Sequence, residues 1–90
     1  MVDCSHANSA RDAERQPAIA SDLAGRLAAG DRAIAAVMLE SNLLGGSQDY
    51  RAVPLVRGRS VTDACLAWEK TLPVLAQLAG AVAARRKARV

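Results

Sequence analysis

The stretch "AIAAVMLE" at residues 33–40 decides how the chain reads, because it is an unbroken apolar run closed by a single acid. A run without polar alternation describes a strand buried on both faces, and such strands belong to parallel sheets covered by helices. On its N-terminal side, Ala20, Leu23, Ala24, Leu27 and Ala28 fall at helical spacing, with Asp22 and Arg26 opposite them. Asn8 or Ser9 is placed to cap that helix, and Gly30 with Asp31 ends it. Pro17 predicts either a kink or a helix that begins in earnest at that proline. Earlier still, "VDCSHANS" at residues 2–9 reads as a strand end followed by a turn, and it carries His6, the chain's only histidine.

On the C-terminal side, residues 41–60 contain Gly45, Gly46, Pro54 and Gly58 and read as a loop too long to be idle in a compact domain. Residues 60–66 offer another short strand that ends near Asp63. Thr71 is placed to cap a final helix with Leu75, Leu78, Ala79 and Val82 as its apolar stripe and Pro73 in its first turn. The order is strand end, helix, strand, loop, strand, helix. That alternation predicts an α/β fold with parallel strands and crossover helices.

Composition bounds the possibilities. Ninety residues, 51% apolar and 23% charged, describe one small domain at most. At this length only about 60–65% of the unfolded surface can be buried, so a chain without disulfide, metal or partner is marginal. One Trp, one Tyr and no Phe leave the core to Ala, Leu and Val. Of the net charge of +3, Arg85, Arg86, Lys87 and Arg89 supply the excess, and the body is near neutral. A basic helix end complements the helix dipole, so the tail at residues 85–90 argues for no nucleic-acid partner. The scarcity of aromatic residues also removes a stacking platform for single-stranded bases. Cys4 and Cys65 are too few to frame a disulfide scaffold. With no signal-peptide layout and no apolar run of the roughly 18–20 residues that span a bilayer, a cytoplasmic, reduced setting without membrane contact is expected.

In open α/β sheets and barrels, ligands sit outside the carboxyl ends of the strands. His6, Glu40 and Asp63 lie at or near those ends, one for each strand. Neighbouring strands are about 4.8 Å apart, so three such side chains can converge on one ion if the sheet curves. One imidazole and two carboxylates suit Mn²⁺, Fe²⁺, Co²⁺ or Zn²⁺, and three ligands leave positions open for water or substrate. Simpler roles compete. A histidine after a strand also serves as a cap or a hydrogen-bonded core residue, and Asp63 could cap a turn. Glu40 has the stronger case, because a carboxylate after a buried strand must find a cation, a donor or water. Cys4 precedes His6 by two residues, on the same face of an extended strand, and Cys65 stands likewise to Asp63. Either could ligate, although a small buried thiol is the commoner role. Trp68 reads as helix packing.

The motifs "VDCSHANS" (2–9), "VMLESNL" (37–43), "GSQ" (46–48) and "SVTDACLAWE" (60–69) resemble, in order and over nearly all of the chain, the C-terminal motifs of the class I 3-deoxy-D-arabino-heptulosonate 7-phosphate (DAHP) synthases. The resemblance implies the last strands and helices of a (β/α)₈ TIM barrel. It implies an enzyme that condenses phosphoenolpyruvate with erythrose 4-phosphate and releases phosphate, the entry to the shikimate pathway and aromatic amino acids. In that family a divalent metal is held by a cysteine from an early strand, the histidine of "SHANS", the glutamate of "ES" and the aspartate of "TDAC". Carried over, the last three are His6, Glu40 and Asp63.

The departures are as informative. A barrel of this kind needs at least about 200 residues. The first five strands, the ligand cysteine, the basic residues for substrate phosphates and any feedback site are therefore expected outside this chain, and neither Cys4 nor Cys65 takes that cysteine's place. A truncated gene, a split gene or a start codon placed too late is expected, together with two open sheet edges. Residues 1–90 alone should be inactive, needing the missing N-terminal barrel or a homo-oligomer. The alternative is a non-catalytic remnant acting as a small interaction module, which the presence of Glu40 and Asp63 disfavours.

Overall fold

Two short parallel pairings form the frame of the chain, and two helices cover one side of it. The computed structural model describes residues 1–87. β1 (Val2–Asp3) pairs in parallel with β2 (Val37–Met38), with Val2 opposite Val37 and Asp3 opposite Met38. β3 (Ser41–Asn42) pairs in parallel with β4 (Leu66–Ala67), with Ser41 opposite Leu66. β2 and β3 are two halves of one extended segment that changes neighbour at Leu39–Glu40. Among the described residues, β1 and β4 each pair along one edge only.

The parallel α/β arrangement is the one expected, but the strands are shorter. Residues 33–36 lie outside the ladder, because the parallel register that sets Val2 opposite Val37 places them ahead of β1; of these, the Ala36 carbonyl still accepts from the Val2 N–H at 2.9 Å. Val37, Met38 and Leu39 are half-buried rather than enclosed on both faces, since helices cover one side alone. The strand expected at 60–66 is reduced to Leu66–Ala67, preceded by bridges from Ser60 to Ser47 and from Cys65 to Gly46. The loop expected over 41–60 accordingly opens with β3 and is stitched by those bridges.

α1 (Gln16–Ala28) starts with Pro17 in its first turn, as Pro17 predicts. It buries Gln16, Ala20, Leu23, Ala24 and Leu27 as one stripe. Its end is a Schellman turn: Gly30 adopts φ +102°, its N–H donates to the Leu27 carbonyl, and the Asp31 N–H donates to the Arg26 carbonyl. Asn8 and Ser9 do not cap this helix. They belong to a 3₁₀ turn, His6–Ser9, while Asp12 accepts from the Glu14 N–H to cap a second one, Ala13–Arg15, that leads into α1.

α2 (Trp68–Lys87) follows β4 without a loop, so Thr71 lies inside its first turn instead of capping it. The Thr71 hydroxyl donates to the Ala67 carbonyl at 3.0 Å and therefore accepts from Ser41 Oγ at 2.6 Å. That anchor sets the phase of the helix. Thr71, Val74 and Ala81 are buried and Leu78 and Val82 half-buried, whereas Leu75 and Ala79, expected on the stripe, are exposed. Trp68 is about half exposed, which leaves little of the packing role expected for it. Cys4, Leu23, Ala24, Leu27, Ile34, Leu66 and Val74 make the core between the helices and the strands. Arg85 turns back to donate to the carbonyls of Asp31 and Ile34, both at 3.0 Å, closing the end of α2 over the Schellman turn. Of the basic tail, Arg89 lies outside the described residues.

Candidate metal centre

His6 lies three residues past the end of β1 and sits at φ +47°, in the left-handed region that few side-chain-bearing residues adopt. Three local bonds hold it there: Asn8 Nδ2 donates to the Asp3 carbonyl at 2.6 Å, Ser9 Oγ to the His6 carbonyl at 3.2 Å, and the Arg11 N–H to the same carbonyl at 2.8 Å. The polar residues after His6 thus fix its backbone. Backbone strain of this kind collects at functional sites, where the surrounding structure over-determines it.

The imidazole points toward two carboxylates from distant parts of the chain. His6 Nε2 lies 2.7 Å from Glu40 Oε1 and 3.1 Å from Asp63 Oδ2. One donor atom each from His6, Glu40 and Asp63 falls within 4.8 Å of the other two, the metal-compatible group found among the described residues. Glu40 stands at the switch between β2 and β3. Asp63 is in the bend before β4, not at the end of a strand, and is mostly exposed, so the cluster opens to solvent on its side.

On the far side of the ring, His6 Nδ1 donates to Asp3 Oδ2 at 2.9 Å, and Asp3 Oδ1 accepts from the Ser5 N–H at 2.7 Å. The hydrogen bond to Asp3, then that to Asp63 and the nearby Glu40 charge, push the His6 pKa above its ordinary value of 6.5. The same bond holds the Asp3 carboxyl below the usual range. With the Nδ1 proton committed to Asp3, a neutral ring would aim its Nε2 lone pair at two carboxylate oxygens. Three acceptors facing one another require a proton or a cation between them. Ligand bonds of about 2.0–2.2 Å would place such donors roughly 3–3.5 Å apart, so a set whose atoms lie within 4.8 Å of one another could close on a divalent ion by side-chain shifts.

Ser5 Oγ donates to Glu40 Oε1 at 2.9 Å, and the buried Gln16 binds the Glu40 backbone. Cys4 does not share the face of His6: the strand ends at Asp3, and Cys4 turns fully into the core, where burial pushes its thiol pKa up. Cys65 is also buried, its thiol 3.5 Å from the Asp63 carbonyl. Asp3, Ser5 and Gln16 escaped the sequence reading. Gln16 alone left a signal, an amide on the buried stripe of an otherwise apolar helix.

Two short parallel pairings, with one imidazole and two carboxylates gathered beside them, make an α/β chain that carries a metal-compatible group. The model of the DAHP synthetase I family matches residues 1–76, and the chain belongs to that family. It is 46% identical over 87 residues to the Phe-sensitive phospho-2-dehydro-3-deoxyheptonate aldolase of Escherichia coli (strain K12), covering 96% of this chain and 25% of that protein. It is 44% identical over 95 residues to the phenylalanine-inhibited phospho-2-dehydro-3-deoxyheptonate aldolase of Saccharomyces cerevisiae, covering 98% and 25%. Among solved structures, the phospho-2-dehydro-3-deoxyheptonate aldolase from Francisella tularensis SCHU S4 superposes with a TM-score of 0.91 at 42% identity, over 94% of this chain and 25% of that one. The chain thus spans about a quarter of the length of these relatives. Among the described residues no helix is long and apolar enough to cross a membrane.

Proposed function

We propose that residues 1–90 form the closing part of a DAHP synthase (β/α)₈ barrel in which His6, Glu40 and Asp63 hold a divalent Mn, Fe, Co or Zn ion. In the complete enzyme, phosphoenolpyruvate would condense with erythrose 4-phosphate to give DAHP and phosphate in a cytoplasmic, reduced setting. The observation that carries this reading is His6 Nε2 set against oxygens of Glu40 and Asp63 at 2.7 and 3.1 Å, a place for a proton or a cation whose three surrounding donor atoms suit a divalent ion. When bound, the ion supplies Lewis-acid polarisation of the aldehyde oxygen of erythrose 4-phosphate while the enol carbon of phosphoenolpyruvate attacks.

The chain's own residues prepare that site. Asp3 keeps the Nδ1 proton in place and so reserves Nε2 as the ligand atom. Ser5 holds one oxygen of Glu40. The exposure of Asp63 leaves the open side from which a substrate oxygen can approach. The residues that grip the substrate phosphates, the fourth ligand and the remaining strands belong to the rest of the barrel, which would also cover the free edges of β1 and β4.

The test is formation of DAHP from phosphoenolpyruvate, erythrose 4-phosphate and Mn²⁺ by the full polypeptide that carries this sequence, beside residues 1–90 alone. Metal-dependent turnover by the full polypeptide that disappears in Glu40→Ala, with none from residues 1–90, is the expected result. Metal-dependent turnover that survives Glu40→Ala removes Glu40 from the site, and turnover by residues 1–90 overturns the division of the barrel.

A further inference from the structure

The residue at the start of α1 breaks the rule of its own helix. Ala20, Leu23, Ala24 and Leu27 continue the buried stripe with apolar side chains, yet its first member is Gln16, with no exposed surface. A buried amide is costly unless all its polar atoms are bonded, and here none is left without a partner. Gln16 Nε2 donates to the Glu40 carbonyl at 3.0 Å, and Gln16 Oε1 accepts from the Glu40 N–H at 2.8 Å. Both polar atoms of the side chain therefore go to the backbone of one residue, and that residue carries a candidate ligand.

For the Glu40 N–H, this contact falls where the sheet supplies none. The Met38 carbonyl accepts from Cys4 at the β1 side, and the Glu40 carbonyl accepts from Leu66 at the β4 side. Between these, the strand exchanges one neighbour for the other, and the Glu40 N–H goes to Gln16. The N–H belongs to the peptide plane before the Glu40 Cα and the C=O to the plane after it. One amide gripping both fixes the two planes together, and with them φ, ψ and the direction of the Cα–Cβ bond. Ser5 Oγ then holds the far end of the same side chain.

We infer that Gln16 is a positioning residue which aims the Glu40 carboxylate at His6 and Asp63 by clamping the Glu40 backbone at the break between β2 and β3. The inference rests on the metal reading of those three residues and adds to it a residue that touches no ion and no substrate. Partners one step removed from a metal ligand typically alter affinity on the order of 10- to 100-fold when removed. Gln16→Met keeps the length and burial of the side chain and removes both bonds. Gln16→Leu also removes both bonds and matches the apolar residues of the rest of the stripe.

The experiment measures Mn²⁺ affinity of the full polypeptide carrying residues 1–90, together with its thermal midpoint in chelator and hydrogen exchange at the Glu40 amide. Leu23→Ala, on the same stripe but away from Glu40, serves as a control for lost stability alone. Weakening by roughly 10- to 100-fold and faster exchange at Glu40 in both Gln16→Met and Gln16→Leu, with unchanged affinity in Leu23→Ala, are expected. Should Gln16→Met fail to fold, Gln16→Leu decides by the same readings. Wild-type affinity in the folded Gln16 variants, or an equal loss in Leu23→Ala, overturns the positioning role. If the unsubstituted polypeptide binds no Mn²⁺, or binds it equally well as Glu40→Ala, the metal reading itself falls and this inference with it.

Discussion

Binding of a divalent ion at His6, Glu40 and Asp63 should release one proton, and the geometry says which one. The Nδ1 proton is held by Asp3 at 2.9 Å and stays. The proton on Nε2 shares its place with the ion. Because Asp3, and after it Asp63, raise the His6 pKa above its ordinary value of 6.5, the metal-free protein keeps that proton to higher pH than a free imidazole does. Metal affinity should therefore climb about tenfold per pH unit up to the raised His6 value and then level off. Calorimetric titration with Mn²⁺ in buffers of different ionisation enthalpy counts the protons directly. Stability should respond with opposite signs. Without metal, the contribution of His6 is fully present below pH 6.5 and is lost as the pH rises through the raised folded value. With saturating Mn²⁺, the unfolded imidazole binds the extra proton instead, so stability rises with pH up to about 6.5 and then flattens. Affinity that ignores pH, two protons released per ion, or a slope that persists in His6→Asn would refute the assignment of Nε2 as the ligand atom.

Asp3→Asn leaves an amide that cannot accept from both the Ser5 N–H and His6 Nδ1; Mn²⁺ affinity should fall on the order of 10- to 100-fold, and the pH at which it levels off should move down. Gly58→Ala combines φ +85° with a new Cβ 2.9 Å from the Leu43 Cβ, so thermal unfolding should show a loss larger than about 1 kcal/mol, and an unchanged midpoint would contradict the described loop. Leu66→Ala empties a side chain with no exposed surface and should cost about 2–5 kcal/mol in urea unfolding; a much smaller loss would mean that the core closes over the gap.

Local periodicity carried the parts of this fold that depend on single segments. Ala20, Leu23, Ala24 and Leu27 of the α1 stripe, its glycine stop and the entry at Pro17 were legible, because each is set within one or two turns, whereas Ala28, expected on that stripe, is exposed. Parallel pairing followed from the alternation of elements, but the meeting of His6, Glu40 and Asp63 followed from it only in part, since Asp63 reaches the other two from a bend before β4 and not from a strand end. What escaped depends on contacts between segments. The phase of α2 is set by the bond from Ser41 to Thr71, and no pattern within the helix announces it. Strand length is limited by the partner: "AIAAVMLE" can pair only as far as β1 reaches. Asp3 and Ser5 looked like ordinary polar residues, since their roles appear only when the turn at His6 folds them toward Glu40 and the ring.

His6 and Asp63 stand 57 residues apart in sequence and meet at 3.1 Å. On the metal reading, an ion between them is a removable staple that closes residues 6–63, about two thirds of the described chain, into a ring. Closing so long a ring restricts the unfolded chain far more than the folded one. Chelation then does more than vacate a site: it frees the excursion from Gly46 to Ser60 at its Asp63 end, and protease sensitivity of that excursion becomes a gauge of how much of the protein is loaded.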